Sequence, residues 1–123
     1  MTDSLYVDGG LKTNQTFLVH TPRGQGYAKV NYSPDERVEF NLPTFNNTSQ
    51  ESEFFAILCG ITECIQTNKT TIITDSQFCF NALTKNWKLQ EPRLKLINAC
   101  LRSLLLHYHI KLEWKPREEN LAT

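Results

Sequence analysis

The sequence predicts an α/β fold, a mixed five-stranded sheet in the order 3-2-1-4-5 flanked by helices. Three observations predict it. Two of the first three strand-like segments alternate apolar and polar residues, the pattern of an antiparallel meander with one face buried. A segment of helical period then leads into Thr70 to Thr74, a run without alternation, as expected of a strand buried on both faces and reached by a crossover. Two more helical segments precede a last alternating strand, and crossover connections set the fourth strand beside the first and the fifth beside the fourth.

Taken in order, Leu5-Tyr-Val7 is a short apolar run of strand propensity, closed by Asp8 and followed by Gly9 and Gly10, which free the backbone. Asp8-Gly9 also fits a turn between strands. Leu11 to Gln25 has no clear period: Lys12 to Thr16 suits a turn, Phe17 to His20 suits strand or packed loop, and Pro22-Arg-Gly24 interrupts. Gly26 to Tyr32 alternates as the second strand. Ser33-Pro-Asp-Glu36 turns the chain, and Arg37 to Leu42 alternates as the third. Thr48-Ser-Gln-Glu51 has capping-box spacing, and Phe54, Ile57, Leu58, Ile61 and Ile65 recur at helical period to about Gln66. After the fourth strand, a second helix spans Ser76 to about Thr84 with Phe78, Ala82 and Leu83 inward. Pro92 opens a third helix at a first-turn position, with Leu94, Ile97, Leu101, Leu104 and Leu105 on its apolar side, to about His107. Ile110 to Trp114 is the fifth strand, and Lys115 to Thr123 reads as loop.

With 123 residues, 40% hydrophobic and 21% charged, the chain suits one domain with one core, residues 1 to 123. No apolar run is long enough for a membrane span and the N-terminus has no signal-like core, so a cytoplasmic monomer that engages no membrane is expected. Cys59, Cys64, Cys79 and Cys100 form no CxxC pair, which favours structural thiols in a reducing compartment over zinc or disulfides. Net charge is zero, but its distribution is uneven. Residues 1 to 84 carry five basic and nine acidic side chains, whereas residues 85 to 117 carry eight and two. A metal-dependent enzyme for a polyanionic substrate divides its charge in this way, although a solvated helix face gives part of the same bias.

Chemistry enters through three carboxylates. An aspartate deep in an apolar strand is costly unless a cation receives it. Asp8 ends one such run and Asp75, in Thr71-Thr-Ile-Ile-Thr-Asp75-Ser-Gln77, ends another. Glu53 stands between them at the start of the first helix, on the edge of its buried stripe. A solvated first-turn glutamate that complements the helix dipole describes Glu51 better than Glu53. Strand-Asp, helix-Glu and strand-Asp together make the hard oxygen set that a pair of divalent cations requires.

Order and content together resemble the type 1 ribonucleases H, over nearly the whole chain. The resemblance rests on Tyr6-Val-Asp8-Gly-Gly10, Thr48-Ser-Gln-Glu-Ser-Glu53 with Ala56, and Ile73-Thr-Asp75-Ser-Gln77. Trp114-x-x-Arg117-Glu-x-Asn120 adds weaker support. It implies a ribonuclease H-like fold and hydrolysis of the RNA strand of an RNA–DNA hybrid with two Mg²⁺ or Mn²⁺ ions. One ion would activate water and the other would stabilise the leaving 3′ oxygen. Asp8 would bridge both ions, and Glu53 and Asp75 would each complete one shell. Gln77 would contact the hybrid beside the cut, and Ser49, Gln50 and Asn14 would face its minor groove, where the 2′-hydroxyl separates RNA from DNA. Lys85, Trp87 and Lys88, with Arg93 and Lys95, would form a reduced version of the family's basic handle.

Three departures accompany the resemblance. The family's fourth carboxylate is matched only by Thr123, so it is either replaced there or lies past residue 123 with the usual last helix. The Gly-His pair of the catalytic loop is absent, with Arg117-Glu118 nearby, and His20, His107 and His109 are not placed to substitute. The connector between the second and third helices is short. These departures suit a second reading, a non-catalytic ribonuclease H-like binding module. The transposase and integrase order, with the Glu after the second Asp, does not fit.

Overall fold

The computed structural model describes residues 3–12, 25–42, 49–85 and 87–122. Strands β1 (Ser4–Lys12), β2 (Gln25–Asn31) and β3 (Arg37–Asn41) form the antiparallel meander. Helix α1 (Ser49–Thr67) crosses over to β4 (Thr71–Thr74), which pairs parallel to β1. Helices α2 (Gln77–Lys85) and α3 (Pro92–His107) lead to β5 (Lys111–Trp114), parallel to β4, and a single 3₁₀ turn at Arg117–Glu119 follows. The sheet order is β3-β2-β1-β4-β5, as the meander-then-crossover pattern predicts.

Burial follows from strand alternation. Leu5 and Val7 of β1, Ala28 and Val30 of β2 and Ile72 of β4 are wholly buried in one core with Phe54, Ile57 and Ile61 of α1. Ile72, Ile73 and Thr74 are all buried, which explains the missing alternation of β4. Capping matches chemistry. Ser76 Oγ accepts from the Cys79 amide at the start of α2, and Glu91 accepts from the Leu94 amide ahead of Pro92 in α3.

The structure corrects three local expectations. β1 does not close at Asp8: it continues to Lys12, with Gly9 opposite Ala28 and Gly10 opposite Tyr27. The glycines serve close approach rather than a turn, because a Cβ at Gly9 would overlap the Ser52 carbonyl and one at Gly10 the Tyr27 phenol. On α1 the buried stripe continues through Cys64, and Ile65 is exposed. Glu51 is not solvated: it is 3% exposed and paired at 2.5 Å with Arg93, which itself stays half exposed. A helical wheel cannot reveal a partner 42 residues away on another helix. The segment after β5 is a loop, as expected, and it is anchored, since Asn120 and Ala122 are buried. Thr48, Asn14, His20 and Thr123 lie outside the described residues.

Candidate active site

The parallel pair β1 and β4 sets two aspartates at the same end of the sheet. Val7 pairs with Thr74, so Asp8 and Asp75 follow on neighbouring strands. Helix α1 packs across β1 where Gly9 has no side chain, and the Gly9 amide donates to Glu53 Oε1 at 2.7 Å. Glu53 is thereby aimed at Asp8. Carboxylate oxygens of Asp8, Glu53 and Asp75 lie within 4.8 Å of one another, the one such acidic group among the described residues.

Backbone ties hold this end in place. The Trp114 indole Nε1 donates to the Asp75 carbonyl at 3.1 Å, and the Ser76 amide donates to Thr74 Oγ1 at 3.1 Å. Asn120 Nδ2 donates to the Val7 carbonyl at 3.0 Å, just before Asp8, while its Oδ1 accepts from the Ala122 amide at 2.8 Å. Two members of the Trp114-x-x-Arg117-Glu-x-Asn120 motif therefore grip the two strands that carry the aspartates.

Electrostatically the cluster is strained. Burial, then the neighbouring Asp8 charge, drives the Glu53 carboxyl far above the ordinary range, against the opposing pull of the Gly9 amide. Burial and the Asp75 charge raise Asp8 as well, opposed by its hydrogen bond with Glu53 and by the Lys29 and Arg117 cations. Lys29 stands directly across from Asp8 in the β1–β2 register. A hard divalent cation relieves such crowding, and oxygens this close fit metal–oxygen bonds of about 2–2.5 Å.

The cleft over the cluster is lined also by Tyr27, Ser76 and Arg117. The sequence assigns none of these to the site, although Ser76 lies inside the Ile73–Gln77 motif and Arg117 inside the Trp114–Asn120 motif. Gln77 is exposed at the first residue of α2, two positions after Asp75, and Ser49 and Gln50 are exposed one turn ahead of Glu53. Lys85, Trp87 and Lys88 are exposed at the end of α2 and on the connector behind it. His107 and His109 are exposed around the end of α3, and neither lines the cleft.

The ribonuclease H family model matches residues 2–115. Among solved structures, ribonuclease H1 of the halophilic archaeon Halobacterium salinarum is similar at a TM-score of 0.76 and 20% identity, covering 98% of this chain and 89% of that one. The N-terminal ribonuclease H domain of a Mycobacterium tuberculosis protein, solved as a maltose-binding-protein fusion, follows at 0.70 and 20%, covering 98% and 91%. LC11-RNase H1, solved in complex with an RNA/DNA hybrid, is similar at 0.65 and 18%, covering 95% and 87%. No curated protein sequence matches. On the match across residues 2–115, and with the strand order and the acidic end of the sheet in agreement, the chain belongs to the ribonuclease H family of hydrolases.

Proposed function

We propose that the chain is an endonuclease that hydrolyses the RNA strand of RNA–DNA hybrids, with Asp8, Glu53 and Asp75 as ligands of two Mg²⁺ or Mn²⁺ ions. The observation that carries this reading is the convergence of the three carboxylates on the β1–β4 end. A relative of the same fold solved on an RNA/DNA hybrid supports the substrate class. Divalent ions, when bound, supply Lewis-acid polarisation of the phosphate and of water. The chain's own groups do the rest. Asp8 stands centrally and Glu53 is oriented by the Gly9 amide. Arg117 brings a fixed positive charge to a phosphate entering the cleft. Ser49, Gln50 and Gln77 are exposed; Ser49 and Gln50 meet the hybrid's minor groove and Gln77 contacts the hybrid beside the cut. All three acids come from one chain, so a monomer suffices. Four free thiols suit a reducing compartment such as the cytoplasm, and no helix among the described residues is long and apolar enough to cross a membrane.

The test is cleavage of an end-labelled hybrid by purified protein with Mg²⁺ or Mn²⁺, with duplex DNA as control. RNA-strand cuts that leave the DNA duplex whole are expected, faster with Mn²⁺ because a three-carboxylate shell suits an ion tolerant of irregular coordination. Asp8→Asn should slow cleavage by at least about a thousandfold, as removal of a central catalytic group does. A hybrid bound yet left intact with both metals refutes the enzyme in favour of the binding module.

A further inference from the structure

A basic cleft of about 720 Å³ on α3 is lined by Trp87, Lys88, Lys95 and Arg102 and by no acidic side chain. Cationic walls meet phosphates, which RNA and DNA share, so the choice of sugar is made elsewhere. The cleft over Asp8, Glu53 and Asp75 holds one polar side chain with no part in binding the ions or the phosphate, Tyr27. It lies on β2 directly across from Gly10, which follows Asp8 by two residues and so shares its face of β1. The phenol end of Tyr27 lies over Gly10: a Cβ there would stand 2.5 Å from the hydroxyl oxygen and 2.7 Å from the carbon that bears it. Lys29 Nζ sits over the ring, 5.2 Å from its centroid. Because β1 runs between β2 and β4, Tyr27 and Asp75 stand on opposite sides of Asp8.

Gly10 and Tyr27 are a matched pair, since the missing side chain of one lets the hydroxyl of the other come down beside the acids. Burial, then the Asp8 and Glu53 charges, hold the phenol proton more firmly than usual, with Arg117 opposing. The hydroxyl therefore stays neutral, and it both donates and accepts hydrogen bonds. Arg117 is the side chain of this cleft suited to a phosphate, being fixed in positive charge. A phenol among carboxylates suits a neutral partner instead. Next to a phosphate, a ribonucleotide strand offers one neutral group that both donates and accepts, the ribose 2′-hydroxyl.

We propose that Tyr27 is a specificity-determining residue: its hydroxyl hydrogen-bonds the ribose 2′-hydroxyl of one nucleotide beside the cut, on the side of Asp8 away from Asp75. A deoxyribose at that place leaves the phenol facing a carbon, so the contact favours RNA as the strand to be cut. The inference rests on the hybrid-hydrolase reading and deepens it, because it names a group that reads the sugar within the cleft itself.

The test is an enzyme–substrate cycle with wild type and Tyr27→Phe, which keeps the ring over Gly10 and removes the hydroxyl alone. The cleaved strand is DNA with a short run of ribonucleotides that fixes the cut, and each ribonucleotide in turn is made 2′-deoxy. With Mn²⁺, Tyr27→Phe should lower kcat/KM about fivefold on the unmodified run, the worth of one neutral hydrogen bond. One 2′-deoxy position should cost wild type about fivefold but Tyr27→Phe less than about twofold, and the other positions should cost both proteins alike. Losses that add at every position, or a Tyr27→Phe protein as fast as wild type, overturn the proposal. The same cycle is read as hybrid affinity by fluorescence anisotropy in the Asp8→Asn background, where binding is measured without cleavage. Coupling there with no cleavage by wild type refutes the enzyme and keeps the contact. Cleavage without coupling in either readout refutes the contact alone, and the absence of both overturns both.

Discussion

The acidic end of the sheet and the basic cleft on α3 are built by opposite means. Asp8, Glu53 and Asp75 come from three elements spread over 68 residues of sequence, and backbone ties from Gly9, Trp114 and Asn120 hold that end. The cleft comes from one contiguous stretch, residues 87 to 106, whose cationic and indole side chains are largely exposed. Each region holds one buried polar atom without a partner among the described residues, Ser52 Oγ and Asn98 Oδ1. Both atoms are closed to solvent: Ser52 is 0% exposed against β1, and Asn98 is 5% exposed beneath the cleft on α3. A sealed orphan is only a cost.

The sharpest break between the two regions is steric. Gly9→Ala sets a methyl group into the Ser52 carbonyl, a backbone atom that no side-chain rotation can clear. We expect it to destabilise the fold by about 3 kcal/mol and to misplace Glu53, which depends on the Gly9 amide. Trp87→Ala, at a half-exposed indole, should cost no more than about 1 kcal/mol. Urea denaturation of both variants measures the contrast, and equal costs would show that the acidic end is no more tightly built than the cleft.

A second contrast is electrostatic. Folded Glu53 and Asp8 bind protons more tightly than unfolded carboxyls, chiefly through burial. Their contribution to stability is therefore complete below the unfolded value of about 4 and is lost as pH rises through the raised folded values. In EDTA the melting temperature of Asp8→Asn should exceed that of wild type by a margin that grows from pH 5 to pH 8, reaching about 3–6 °C. Mg²⁺ or Mn²⁺ should reverse the order at pH 8, because ligation requires deprotonated carboxylates and Asn supplies none. A margin independent of pH and metal would show that the three acids do not act as one cluster.

These contrasts also explain what was legible in the sequence. Strand order followed from alternation in β2 and β3 and its absence in β4, since those patterns record which faces are covered. Asp8 and Asp75 stood out because a carboxylate ending an apolar strand has few bland explanations, and parallel pairing of β1 with β4 brings them together. Glu51 was misread because its partner, Arg93, is distant in sequence and only tertiary packing joins the two. Gly9 and Gly10 were read as freedom in the chain, when their use is the absence of a side chain. Arg117 and Tyr27 were not assigned because neither lies in the three acidic segments, and only folding brings them to the cleft. Asn98 was invisible for a related reason: a polar residue within an apolar helix is ordinary until its surroundings are known.

The smallest effect separates the two orphans. Ser52 sits inside α1, where its hydroxyl is buried without a partner among the described residues and its backbone carbonyl lies against Gly9. Ser52→Ala keeps the Cβ, removes the orphan and improves helix propensity by about 0.5 kcal/mol. Desolvating an unbonded hydroxyl costs about 1–3 kcal/mol, but loss of its packing contacts takes back part of that. A net gain of about 1 kcal/mol in urea denaturation is expected. Asn98→Ala deletes a larger side chain from the cleft lining and leaves a cavity there, so it should gain nothing. A loss of stability in Ser52→Ala would mean that the hydroxyl is bonded after all, and a gain in Asn98→Ala equal to that of Ser52→Ala would mean that no cavity forms at Asn98. Only the ordering with Ser52→Ala stabilised and Asn98→Ala not agrees with one orphan that is lost without a cavity and one whose removal leaves a cavity.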